Sequence, residues 1–262
     1  MTQPLINRGQ NLLIQAWLDR MAAAEAGLGD RAGFRSLRRG PTVAILARRW
    51  PDSPGGVPFN RVFDYRPPAE TDDPLLAAAG DAVVELMPGD HADHAAERLR
   101  AAGYAPAWSI PWLYLPLDAA PAAGSGAIER LDPGNLAEFA ATWLAAFESA
   151  DDELGTRQAF VRFGFAAAGF ACFLARVDGR PAAVGVMRMD GDSALVDGAA
   201  TMPEYRGRGL QKALLAARLA YAREQGARVA FSRTGAGSIS QANMLKLGLR
   251  PLVESVAWRR PA

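Results

Sequence analysis

Apolar positions in this chain recur either in alternation or at every third and fourth residue, in segments short enough to be single strands or helices. In the first part, 11–26 has helical spacing, 43–47 is a short apolar run of the buried-strand kind, and 61–65 reads as another strand. Residues 82–87 read as a strand ended by Pro88-Gly89. Asp90 then stands where a cap belongs, before a helix reaching about Ala102 with Gly103 as its stop. The stretch 108–117 alternates like a strand, and Pro111 and Pro116, lacking the N–H a ladder needs, assign it to a sheet edge.

Residues 118–126 (DAAPAAGSG) have no periodicity and read as a linker. They divide an N-terminal domain, 1–120, from a second, 127–262. In the second, 127–131 is a strand, and Asp132-Pro133 starts a helix with Asp as its cap and Pro as its first residue. Leu136, Phe139, Ala140, Trp143, Leu144 and Phe147 follow its helical spacing. An acidic loop, 148–153, precedes a helix over 156–168. Strands at 171–177, 182–189 and 194–202 are joined through Asp178-Gly179 and Asp190-Gly191, two hairpin signals. A long helix over 210–225, a strand at 228–232, a short helix at 240–247 and a strand at 252–258 complete the order β-α-α-β-β-β-α-β-α-β.

Composition narrows the chemistry. The 262 residues carry 29 basic and 28 acidic side chains, a formal net charge of +1, which argues against a basic surface for nucleic acid or an anionic membrane. Cys172 is the lone cysteine, so neither a disulfide framework nor a cysteine zinc cluster is available. His91 and His94 share a helix face without a further ligand in view, and solvation is favoured over a metal. The longest apolar stretch, 163–175, is shorter than the ~20 residues of a membrane span and is broken by Gly164 and Gly169. Residues 1–10 lack a signal-peptide pattern, and a cytoplasmic protein, monomer or homodimer, is expected.

The informative stretch is PEYRGRGLQK, 203–212, between a strand and a long helix. Gly207 and Gly209 allow close backbone approach, and the following helix presents unpaired N–H groups and the positive end of its dipole. That combination suits a phosphate or diphosphate, with Arg206 and Arg208 available for charge-assisted contacts. It is neither a Walker loop nor a dinucleotide fingerprint, since Gly-Lys-Ser/Thr and the third glycine are missing. The alternative is a tight strand-to-helix turn with no ligand.

PEYRGRGLQKALL, from Pro203, and SQANMLKLGLRPL, from Ser240, resemble the GNAT superfamily of acetyl-CoA-dependent N-acyltransferases over about 127–258. The resemblance implies an α+β fold with a mixed, mostly antiparallel sheet flanked by helices. It also implies a coenzyme A diphosphate loop at Arg206, Gly207, Arg208, Gly209, Leu210 and Gln211, and a pantetheine strand at Ala200, Thr201 and Met202. Ser240 and Asn243 are candidates for the pantetheine or adenine part, Ser240 being equally a helix cap. Two positions depart from the family: Gln211 replaces the usual Gly or Ala, and Met244 stands where a proton-donating Tyr is frequent. A water, Ser238, Ser240 or no dedicated acid then reprotonates the thiolate.

Asp197, on the strand leading to the loop and sharing a face with Leu195, Ala199 and Thr201, is the candidate base for the amine; its alternative is a structural carboxylate. Glu148, Asp151, Asp152 and Glu153 belong to the loop that lines the acceptor site in this family, and Trp143 and Phe147 are candidates for the pocket wall, with solvation and core packing the respective alternatives. The expected reaction moves acetyl from acetyl-CoA to a primary amine of a small molecule, by direct attack and without a metal. The rivals are an acyl-CoA-binding sensor without turnover and a protein N-terminal or lysine acetylase. PFNRVFDY and the VVELMPGD turn make the first half resemble the N-terminal half of two-part members, a degenerate copy without the Arg-Gly-x-Gly loop.

Overall fold

The computed structural model describes residues 2–49, 52–53, 57–70, 72–119, 128–149 and 155–261. The N-terminal stretch runs α1 (Thr2–Leu28), β1 (Phe34–Arg39), β2 (Thr42–Ala47), the short pair β3 (Asp52–Ser53) and β4 (Val57–Pro58), β5 (Arg61–Phe63), α2 (Pro74–Ala79), β6 (Val83–Leu86), α3 (Ala92–Ala101) and β7 (Ala105–Pro116). Then come β8 (Ile128–Arg130), α4 (Ala137–Ala146), α5 (Thr156–Phe165), β9 (Phe170–Val177), β10 (Arg180–Asp190), β11 (Ser193–Thr201), α6 (Leu210–Glu224), β12 (Val229–Arg233), α7 (Ile239–Lys246) and β13 (Arg250–Arg259). From β8 onward the expected order is the observed one.

All strands except β3 and β4 join one sheet, in the order β1-β2-β5-β6-β13-β7-β12-β11-β10-β9-β8. About its centre, between β13 and β7, the order repeats as a mirrored list: β6, β5, β2 and β1 on one side answer β12, β11, β10 and β9 on the other. Orientations repeat as well, since β5 pairs parallel with β6 and β11 parallel with β12, while their neighbours pair antiparallel. Each stretch gives its last strand to the other: β13 lies against β6 and β7 against β12. The expected linker residues 120–126 lie outside the described residues.

The expected edge position of 108–117 is wrong, because β7 is central. Its prolines fit there for local reasons. Pro111 accepts a bond from the Thr234 N–H at 3.2 Å and stands one residue past the β12 pairing, which ends at Trp112 with Arg233. Since N–H and C=O of one strand residue point the same way, its missing N–H faces ladder that β12 no longer supplies. Pro116 is the last residue of the strand.

Other boundaries shift for identifiable reasons. α1 starts nine residues before the expected Asn11, and Gly9 lets its first turns lie on the Phe231 ring, which a Cβ there would meet at 3.0 Å. Asp132 accepts from the Gly134 N–H at 2.7 Å, capping a turn rather than a helix, and α4 starts at Ala137. α3 begins after His91 without a side-chain cap, so Asp90 does not cap it. The second hairpin turns at Gly191-Asp192, Asp190 pairing with Ser193. One core, including Phe34, Phe59, Phe63, Trp112, Phe139 and Phe231, fills the sheet face under α1, α4 and α5. The opposite face carries α6 and α7 over one half and α2 and α3 over the other.

Candidate active site

The site is built where two strands part. β11 pairs with β12 only from Ser193 to Leu195, opposite Val229 to Phe231, and the strands then diverge. Asp197 pairs with Val186 and Ala199 with Gly185, which leaves Gly198 as an extra residue, a β-bulge that bends β11 away. Trp143 fills the bend: a Cβ on Gly198 would come within 2.4 Å of its ring. The bulge also corrects the expected face. Leu195 packs in the same core as Ala200 and Met202, so Ala199 and Thr201 lie on the other side from Asp197.

Arg218 of α6 fastens the bulge to its neighbours on β10 and β11. Its guanidinium donates to the carbonyls of Val186 at 2.9 Å, Asp197 at 2.7 Å and Gly198 at 3.3 Å, and its Nε to Leu214 at 3.1 Å. Burial pushes Arg218 down to about 10, with the Asp197 charge acting the other way, so it stays protonated at neutral pH. Gly185 makes room for it, since a Cβ there would meet the guanidinium at 3.0 Å. Sequence reasoning missed Arg218, because on an amphipathic helix an arginine reads as a solvated charge. Ser232 Oγ donates to the Val196 carbonyl at 2.8 Å where the strands separate.

A cavity of about 60 Å³ lies in the gap, lined by Asp197, Ala199, Arg218, Arg233 and Met244 among others. It adjoins a cleft of about 620 Å³ between α6 and α7, lined by Ala199, Ala200, Thr201, Tyr205, Arg206, Gly207, Gly209, Leu210, Gln211, Ser240 and Asn243, with Phe147 at its edge. Along β11 the Met202 N–H is spent on the Ala182 carbonyl at 2.9 Å, and by alternation Ala199 and Thr201 turn their main-chain groups toward the gap. Gly207 and Gly209 have φ of 79° and 78°, the left-handed region, and a Cβ on either would meet nothing within 4 Å. No side chain caps α6, whereas Ser238 caps α7, accepting from Gln241 N at 3.1 Å. The cap expected of Ser240 is therefore made by Ser238. The mouth of α6 thus offers uncompensated N–H groups across open space.

The remaining candidates divide. Gln211 turns toward α7, donating to Ser240 Oγ at 3.1 Å and accepting from Asn243 at 2.8 Å, so its side chain lies away from the glycine loop. Arg206 bridges β11 and α4, donating to the Thr201 carbonyl at 3.3 Å, the Ala146 carbonyl at 3.2 Å and Glu148 at 3.3 Å. Arg208 lies with its guanidinium carbon 5.5 Å from the Tyr205 ring centroid, outside the cleft lining. Trp143 is 7% exposed and stacks with Phe139, Phe147 and Phe165, a core position. Asp151, with Asp152 and Glu153, lies outside the described residues. Met244 is buried against the gap, and Arg233, which the sequence did not single out, lines it.

Among the described residues no group of three or more His, Cys, Asp or Glu is placed to hold a metal, and no helix is long and apolar enough to cross a membrane. His91 instead sits 2.7 Å from Arg66 through Nδ1. Burial pushes the Cys172 thiol up to about 12, so at pH 8 it is a protonated thiol beneath packed side chains. The native protein is expected to react with an aromatic disulfide reagent only after unfolding; rapid native labelling would mean that β9 is not buried.

Residues 136–249 match the family model "Acetyltransferase (GNAT) family". Residues 136–249 therefore form a GNAT acetyltransferase domain, and the mixed α+β sheet matches the fold of similar solved structures. Similar solved structures include a GCN5-related N-acetyltransferase from Kribbella flavida, 19% identical over 94% of this chain and 95% of that one, with a TM-score of 0.57. A tandem GNAT protein from the clavulanic acid biosynthesis pathway is also 19% identical, covering 94% and 93% of the two chains at a TM-score of 0.57. A GCN5-related N-acetyltransferase from Sphaerobacter thermophilus is 16% identical over 94% and 93%, at 0.54. No curated protein matches the sequence.

Proposed function

We propose that the protein is an N-acetyltransferase that moves an acetyl group from acetyl-CoA to a primary amine of a small molecule, by direct attack in a ternary complex. The observation that carries this reading is the uncapped start of α6, behind two left-handed glycines, at the end of a strand that has left its neighbour. Main-chain N–H groups from Gly207 to Gln211 would hold the diphosphate, with the β11 edge at Thr201 on one side of the pantetheine arm and Ser240 and Asn243 on the other. Acetyl-CoA supplies an acyl group already activated as a thioester. The chain must position the amine, take its proton and stabilise the oxyanion. Asp197, which lines the cavity between the strands, would take the proton, and the main-chain donors at Ala199 and Thr201 would stabilise the oxyanion.

In this reading 127–262 is the catalytic domain and 1–120 a degenerate copy that completes the sheet. The mirrored strand order supports the duplication. So does α2, the counterpart of α6, because Asp73 already fills its mouth: the carboxylate accepts from Leu76 N at 3.0 Å and is held by Arg39 at 2.6 Å and Tyr65 at 2.9 Å. A second diphosphate would meet a carboxylate there.

A thermal-shift titration with acetyl-CoA, then thiol release with a panel of amines, tests the proposal. Stabilisation followed by amine-dependent release is expected; stabilisation with no release would favour the sensor. Asp197→Asn is expected to lower the rate at neutral pH about 100-fold and remove the acidic limb of the pH profile, with acetyl-CoA binding unchanged. An unaltered profile would leave Asp197 a purely structural role.

A further inference from the structure

Two opposite charges, Arg20 and Asp197, make no hydrogen bond or ion pair among the described residues. Arg20 of α1 is 8% exposed and lies on the sheet face opposite α6. Its guanidinium carbon stands 4.5 Å from the Phe165 ring centroid, 4.6 Å from that of Phe160 and 5.0 Å from that of Trp17. Gly164 leaves room for its stem, which a Cβ would meet at 2.7 Å. Yet Arg20 Nε is buried without a hydrogen-bond partner, and no carboxylate of the described residues forms an ion pair with the side chain.

The other charge is Asp197. Its field reaches Arg20, Arg61 and Arg218, but among the described residues its carboxylate makes neither a hydrogen bond nor an ion pair. The neighbouring buried charges behave differently. Arg233 is bound to Glu85 at 2.7 Å and Arg188 to Asp19 at 2.6 Å. Burial lowers Arg20 to about 10, so it remains charged at neutral pH, and a desolvated cation without a counter-ion is costly until an anion docks on it.

We infer that the acceptor is a zwitterion whose amine lies against Asp197 and whose carboxylate takes the free donors of Arg20, an amino acid or a compound that ends in one. The planar guanidinium matches a carboxylate by parallel hydrogen bonds, and the rings around it exclude competing water. This rests on the acetyltransferase reading for the fate of the amine. On transfer Asp197 takes one proton from the ammonium, the neutral amine nitrogen bonds to the acetyl carbon, the carbon–sulfur bond breaks and the surplus nitrogen proton goes to the departing sulfur. The carboxylate is unchanged, and the product is an N-acetyl acid.

The test is calorimetry on the protein saturated with coenzyme A, titrated with the L-amino acids, β-alanine, γ-aminobutyrate, their primary amides and phosphoethanolamine. The expected result is at least one acid that binds tenfold or more tightly than its amide, a preference lost in Arg20→Met and partly kept in Arg20→Lys. Equal binding of acid and amide, no binding of any acid, tightest binding of phosphoethanolamine, or an Arg20→Met protein that keeps the preference would each overturn the inference. The wild-type comparison stands even if Arg20→Met does not fold. Failure of the acetyltransferase reading looks different: an acid would bind with its preference intact, but acetyl-CoA would release no thiol in its presence.

Discussion

Gly209→Trp is expected to abolish acetyl-CoA binding while the protein stays folded. Gly209 has a φ of 78° and nothing within 4 Å of its would-be Cβ, so an indole there occupies the space in front of α6. An L-residue in this left-handed region costs about 1–2 kcal/mol, which the domain can absorb. Binding loses far more. Hydrogen bonds to a charged group contribute about 1.5–3 kcal/mol each, so losing two weakens affinity by about a hundredfold or more. Gly209→Ala carries most of the strain with little of the obstruction and should fall between the two. Calorimetry with acetyl-CoA, beside a circular dichroism spectrum, reads the result. Unchanged affinity in Gly209→Trp would contradict the loop assignment.

Arg218→Met is expected to be the most destabilising single change near the site. The side chain reaches four carbonyls, three of them at the Gly198 bulge between the paired strands β10 and β11. Methionine fills part of the volume but donates nothing, so buried carbonyls lose their partner. A loss of about 3 kcal/mol follows, a fall in Tm of roughly 6–12 °C for a chain of this size. Chemical denaturation checks the magnitude. Acetyl-CoA affinity should fall as well, because the same contacts fix the bulge at which β11 turns away from β12. A loss below about 1 kcal/mol would mean that the bulge is held without Arg218.

The second half of the fold was legible because its signals are local. Asp178-Gly179 forms the first hairpin with φ of 49° and 75°, as such a pair should. The element order after residue 127 follows from such punctuation, and so does the glycine loop, whose conformation depends on its own residues. What escaped depends on partners distant in the chain. β1, FRSLRR, is too polar to read as a strand, since only its pairing with β2 makes it one. β7 reads as an edge from its prolines alone, because β12 and β13, which flank it, are distant in sequence. The bulge at Gly198 is a register difference between two strands and leaves no mark on one of them. Hence simple alternation puts Asp197 on the face of Ala199 and Thr201, and the bulge puts it on the other. The same holds for Arg20 and Arg218, whose burial comes from rings and carbonyls supplied by other segments.

A crystal structure with coenzyme A bears most directly on the reading. The diphosphate is expected against the main-chain N–H groups between Gly207 and Gln211, the pantetheine beside Thr201, and the thiol in the gap between β11 and β12 near Asp197. Coenzyme A bound at another place, with the mouth of α6 empty, would contradict it.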